Sequence, residues 1–239
     1  MTDLLNHRLG DLVTTHPAAA RVLESFGLDY CCHGERDLAS ACAEVGVDVG
    51  TVVARLADAD AGLAGDLAWT ELDPPELADH IVSTHHAYLH EELPLLDALA
   101  RKVAGVHGGR HPELADVADL VAELRADLEP HLMKEERVLF PAIHALARGQ
   151  AEFAFGSVAN PVRMMMFEHD RCGELLTALR RTTGDYAVPA DGCASYHSLF
   201  ERLESLEFDT HLHIHKENHV LFPAALALAD RLQAESVNS

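Results

Sequence analysis

His131-Leu-Met-Lys-Glu135 and His213-Ile-His-Lys-Glu217 combine residue type and spacing in a way that promises chemistry. A four-residue step on a helix stacks both side chains on one face, so each stretch sets an imidazole beside a carboxylate. The stretches are near copies: over 131–148 and 213–230, eleven of eighteen positions are identical without a gap. A single His-x-x-x-Glu is ordinarily a core histidine hydrogen-bonded to its glutamate. Two copies in register, with His86 and His169 at matching distances upstream, make a donor set for two metal ions.

The elements that position these residues follow from helical periodicity. Helices are expected over 75–104, 112–148, 161–182 and 192–232, separated by Gly105–His111, Gly149–Asn160 and Gly184–Asp191. Stepping by three and four along them traces four apolar seams. One runs Val82, His86, Leu89, Leu93 and another Val117, Val121, Leu124, Leu128, His131, Glu135, Val138, Ala142. The third runs Val162, Met165, His169, Cys172 and the last Leu203, Leu206, Thr210, His213, Glu217, Val220, Ala224. Histidine interrupts every seam, and buried carboxylates are rare unless paired or metal-bound. Without strand alternation, the fold class is all-α: a four-helix bundle over 74–235.

Suppose Glu135 and Glu217 each bridge two ions while His86, His131, His169 and His213 supply two imidazoles to each. A shared oxo or hydroxo then leaves one position open per octahedral ion, where O2 or NO can bind. Mixed imidazole and carboxylate ligands suit iron and leave zinc and manganese open.

Ahead of the bundle, residues 1–57 read as a small helical domain with a Cys31-Cys32 loop, and 58–73 as a linker. Asp37 is placed to cap a helix that ends near Gly46. This part is too short for a strong core of its own, so it packs on the larger part or on a second chain, and a homodimer stays open. The cysteine pair, in a loop before a helix N-terminus, is expected to favour a thiolate. Catalytic roles are expected of Glu135, Glu217, Cys31 and Cys32.

The remaining histidines read more plainly: His211, His215 and His219 as exposed or supporting, and His107 as a loop histidine. Pro141 and Pro223, inside helical patterns, should kink or locally open the backbone.

A formal charge of −21 argues against nucleic acid and anionic membrane as partners. No apolar run of about twenty residues or secretory start is present, and five cysteines form no disulfide framework. A cytoplasmic address is the expectation.

At this point the chain resembles the repair-of-iron-centres family, the iron–sulfur cluster repair di-iron proteins with a hemerythrin-like domain. Arg21–Cys32 with Ala41-Cys42-Ala-Glu44 is similar to that family's N-terminal module. His86–Pro94, Val106-His107-Gly108, Glu168–Glu174 and the two His-x-x-x-Glu stretches with their Leu-Phe-Pro are similar to its bundle motifs. The resemblance implies two non-haem irons with an oxo bridge and Glu135 and Glu217 bridging. It further implies repair of iron–sulfur proteins damaged by nitric oxide or peroxide, by supply of iron. Two alternatives remain open: an NO-reducing enzyme at the iron site, and an O2 or NO carrier or sensor. His33 departs from the family's usual glycine after the cysteine pair.

Overall fold

The computed structural model describes residues 4–60 and 68–237. The described residues are helical apart from turns, loops and one isolated bridge between Arg8 and Asp37. They form two compact units. One holds Met1–Ile81, Ala142–Asn160 and His211–Ser239; the other holds Val82–Pro141 and Pro161–Thr210.

In the first unit, α1 (Leu9–Thr15), α2 (Ala19–Ser25), α3 (Leu38–Val45) and α4 (Val49–Asp60) precede α5 (Pro74–Ile81). Their ends follow the sequence signals. Asp37 accepts the Ser40 N–H at 2.8 Å as N-cap of α3, and Gly46 closes that helix with φ of 75°. A reciprocal pair starts α5: Asp73 Oδ1 accepts the Glu76 N–H at 2.9 Å, and Glu76 Oε2 accepts the Asp73 N–H at 3.2 Å. Of the expected linker, 58–60 finish α4, 61–67 lie outside the described residues, and 68–71 form a 3-10 turn. Trp69 in that turn is buried, edge-on to the His215 ring and under the Lys216 ammonium.

The second unit is built from α6 (Ala87–His107), α7 (Glu113–Lys134), most of α9 (Ala159–Thr182), and the first three quarters of α10 (Ala194–Lys216). Its core repeats the traced seams: Leu89, Leu93 and Leu96; Val117, Val121, Leu124 and Leu128; Val162, Met165, Cys172, Leu176 and Leu179; Leu199, Leu203 and Leu206 are all buried. Charged pairs lace the rims, with Arg202 on Glu92 at 2.6 and 2.8 Å and Arg180 on Glu207 at 3.0 and 3.1 Å. The α9 helix starts at Ala159 rather than after Asn160. Ser157 Oγ takes the Ala159 N–H, while Asn160 Nδ2 donates to the Phe155 carbonyl.

The long helices are not regular throughout. Five-residue π-helical turns occupy Val82–His86, Glu135–Leu139 and Glu217–Leu221, and α8 (Phe140–Ala147) and α11 (Phe222–Val237) continue from the last two. The Phe140 N–H reaches the Glu135 carbonyl and the Phe222 N–H the Glu217 carbonyl, five residues back. Pro141 and Pro223 follow directly; each lacks an N–H and crowds the carbonyl four residues back, which favours a wider turn. The extra residue moves the seam. Val138 is 42% exposed where the regular period places it inward, and Leu139 and Leu221 are buried instead. The turn at Val82–His86 has no following proline and carried no signal in the sequence.

Candidate metal centre

In the second unit three imidazoles face one carboxylate. Glu135 opens its π-helical turn fully buried, one turn beyond His131. His86 Nε2 and His131 Nε2 lie 3.4 and 3.3 Å from its Oε2, and His169 Nε2 lies 4.0 Å from Oε1. The Nε2 atoms of His131 and His169 are 3.2 Å apart. His86 arrives as the last residue of the turn at Val82–His86, and His169 comes from the middle of α9.

Two carboxylates behind the rings fix which nitrogen points inward. Glu136 Oε1 takes His86 Nδ1 at 3.0 Å, and Glu168 Oε2 takes His131 Nδ1 at 2.9 Å. The hydrogen bond from His131 holds the Glu168 carboxyl below its usual range against its partial burial, with Lys134 assisting. Burial pushes Glu136 up, but hydrogen bonds from His90 and His86 outweigh it. Both are therefore ionised and can only accept, so each Nδ1 carries a proton and a neutral ring turns its lone pair toward Glu135.

That donor set fits a cation. The 3.2 Å gap between His131 and His169 leaves room for one proton at most, so at least one Nε2 presents a lone pair. Lone pairs facing each other and a buried carboxylate repel unless positive charge lies among them. Two ligand atoms about 2.1 Å from one ion at right angles stand roughly 3 Å apart, near the separations found.

In the first unit, His213 and Glu217 repeat the motif. Both are buried, His213 Nε2 lies 3.1 Å from Glu217 Oε1, and Glu217 again opens a π-helical turn. The identical construction follows from the sequence repeat.

A cleft of about 250 Å³ in the second unit is lined by Leu128, Lys134, Phe167 and Arg171 together with His131 and His169. Glu136 and Glu168 were not singled out from the sequence as supporting groups, and His85 is buried on Asp209 at 2.8 Å. Glu136 stands directly after the first motif and Glu168 directly before His169, so proximity was the available signal. His90 is exposed and bonds Glu136 at 2.9 Å.

Of the three histidines read as exposed or supporting, His215 is not exposed. His215 is fully buried against Tyr30, Trp69 and Thr14, and burial pulls it down to about 3, so it is neutral. His211 bonds Glu24 at 3.2 Å, and His219 Nε2 lies 3.0 Å from the Cys31 carbonyl, which Asn218 Nδ2 also reaches at 3.2 Å. The cysteine loop is thus anchored on the turn that carries Glu217. The four histidines from 211 to 219 divide by helical phase, with 213 turned from the other three.

The expected thiolate is corrected as well. The Cys31 thiol is pushed up, through its contact with Cys32 at 3.7 Å and burial. Six residues separate Cys31 from α3, so no helix N-terminus acts on it. Asp29 organises the loop: Oδ1 accepts the Cys31 and Cys32 N–H groups at 3.1 and 2.9 Å, and Oδ2 pairs with His33 at 2.6 Å.

Comparison with known proteins decides what this arrangement belongs to. The model for the hemerythrin HHE cation binding domain matches residues 77–225, and a domain of unknown function named for the ScdA N-terminus matches 5–60. A probable iron-sulfur cluster repair protein of Haemophilus influenzae is 33% identical over 92% of this chain and 96% of its own length. The iron-sulfur cluster repair protein YtfE of an Enterobacter species is 36% identical over the same shares, and ScdA of Staphylococcus haemolyticus is 31% identical over 90% and 95%. The chain belongs to the iron–sulfur cluster repair family. In this family member the hemerythrin-like helical bundle follows a small helical N-terminal region, as the sequence indicated. Among its described residues no helix is long and apolar enough to cross a membrane.

Proposed function

We propose that the chain is a non-haem di-iron protein that restores iron–sulfur clusters damaged by nitrosative or oxidative stress, by supplying iron to the damaged proteins. His86, His131, His169 and His213, with Glu135 and Glu217, would hold the two irons and an oxo or hydroxo between them. The observation that carries this reading is Glu135, a buried carboxylate faced by three imidazoles of which two are aligned from behind by ionised carboxylates. The repeated build at Glu217 and the relatives' names support it.

When bound there, iron supplies a labile ion for transfer and a redox-active centre. The chain's own groups set its grip. Glu136 and Glu168 hold the Nδ1 protons and keep the rings aligned, and the cleft beside His131 admits small ligands. We assign residues 1–57 and 74–235 to the two modules and place Cys31 and Cys32 at the hand-over to the client. Five free cysteines suit a reducing compartment such as the cytoplasm.

The iron-loaded protein should reactivate a nitric-oxide-damaged iron–sulfur dehydratase faster than an equal concentration of free ferrous iron, and Glu135→Gln should lose that advantage. Equal rescue by free iron counts against the reading.

A further inference from the structure

Far from the candidate metal centre along α6, about 30 Å at the ordinary helical rise, a second pair of reactive side chains meets. Cys193 is free and exposed, and its Sγ lies 3.1 Å from Nε2 of His107, the last residue of α6. His107 is 5% exposed, and its Nδ1 has no hydrogen-bond partner among the described residues. The thiol is thus this imidazole's one hydrogen-bonding contact there. A thiol sulfur is a weak acceptor and a thiolate a strong one, so an Nε2–H directed at Sγ favours the thiolate form of Cys193.

Three further features hold the pair. Cys193 directly precedes α10, and its carbonyl takes the Tyr196 and His197 N–H groups at 2.9 and 3.0 Å, which sets the sulfur at the positive end of a 23-residue helix. The Tyr196 ring meets His107 edge-on at 5.5 Å and His111 at 5.7 Å. The charged groups around the pair are His111 and Arg110, both on Asp191 at 2.9 and 3.3 Å, with Glu113 on His111 and Lys102 on Ser195.

We propose that Cys193 and His107 form a covalent modification site, at which the Cys193 thiolate undergoes exchange with low-molecular-weight disulfides. The Cys193 sulfur attacks one sulfur of the disulfide and a new S–S bond forms. The old S–S bond breaks, and the departing thiolate leaves with the bonding pair and takes its proton from water. The electronics suit the reaction: the hydrogen bond from His107 brings the Cys193 thiol down to about 7. An attacking thiol works best when its pKa is near the ambient pH. The product is a mixed disulfide on an exposed position, independent of Cys31 and Cys32.

The test uses the full-length, iron-loaded, reduced protein with oxidised glutathione at neutral pH, and mass spectrometry of the peptides that carry each cysteine. The Cys193 peptide should acquire the adduct before the other four. Its alkylation rate with iodoacetamide should be half-maximal near the same pH, and Cys193→Ser should lose the adduct while keeping its iron. His107→Gln, with helicity and iron content unchanged, should raise that midpoint by about one unit or more, toward the value of about 8.5 for an ordinary thiol. Should that variant fail to fold, the wild-type midpoint decides alone. A midpoint near 8.5 in the wild type, or modification of Cys193 no faster than of Cys32, overturns the proposal.

Discussion

Glu168 holds the Nδ1 of His131 at 2.9 Å, and that bond determines which face of the imidazole is offered to Glu135. The carboxylate lies one residue before His169, so a single stretch of α9 supplies one inward-facing ring and aligns another. Glu168→Gln should weaken iron binding by about 10- to 100-fold, the usual cost of losing a carboxylate behind a ligating histidine. Competition with a coloured chelator measures it. Unchanged affinity would mean that His131 needs no support.

The wide turns make a second prediction. Pro141→Ala returns an N–H to α8 and removes the clash that keeps the turn at Glu135–Leu139 open. The iron-free protein should gain about 1 kcal/mol or more toward thermal unfolding, while the iron-loaded form loses iron faster to a chelator. Equal iron loss in variant and wild type would detach the turn's width from metal holding.

These turns also show where the sequence ran out. The residues of all four seams and both motifs were legible because helical period and repeat acted together, from Val117 to Glu135 and from Leu203 to Glu217. The shift from Val138 to Leu139 was not, because a π-helical turn breaks the regular period on which the seam was traced. Burial of Trp69 and His215 was also hidden: each depends on contact between segments far apart in the chain. The prolines gave the only local sign that the backbone opens.

Packing between the cysteine loop and His219 can be tested at Gly34. A Cβ there would come within 2.6 Å of His219 Nε2 and also strike the Tyr30 carbonyl, a backbone atom that cannot swing aside. Gly34→Ala should cost about 1–3 kcal/mol, seen as a lower thermal midpoint and faster proteolysis between residues 26 and 38. Wild-type resistance would show that the loop relaxes freely.

Acid should loosen the same loop. Burial pushes Asp29 up, but hydrogen bonds from His33 and from the Cys32 and Cys31 groups outweigh it and bring it to about 2. A carboxyl lowered on folding stabilises above its unfolded value, near 4, and the gain is lost as pH falls from there toward 2. With screening of this partly exposed group, about 1 kcal/mol is at stake. Asp29→Asn should flatten the pH dependence of unfolding in that window and leave it unchanged at neutral pH and above. A slope identical to wild type would contradict the assignment.

The pair of buried glutamates opening matched turns is where the whole account is most exposed. Protein purified without oxygen, reconstituted with ferrous iron and desalted should retain about two irons per chain, and Glu135→Gln and Glu217→Gln should each retain markedly fewer. Full retention of iron in both variants, or one zinc per chain in the wild type with iron excluded, would contradict the claim that these carboxylates hold an iron pair.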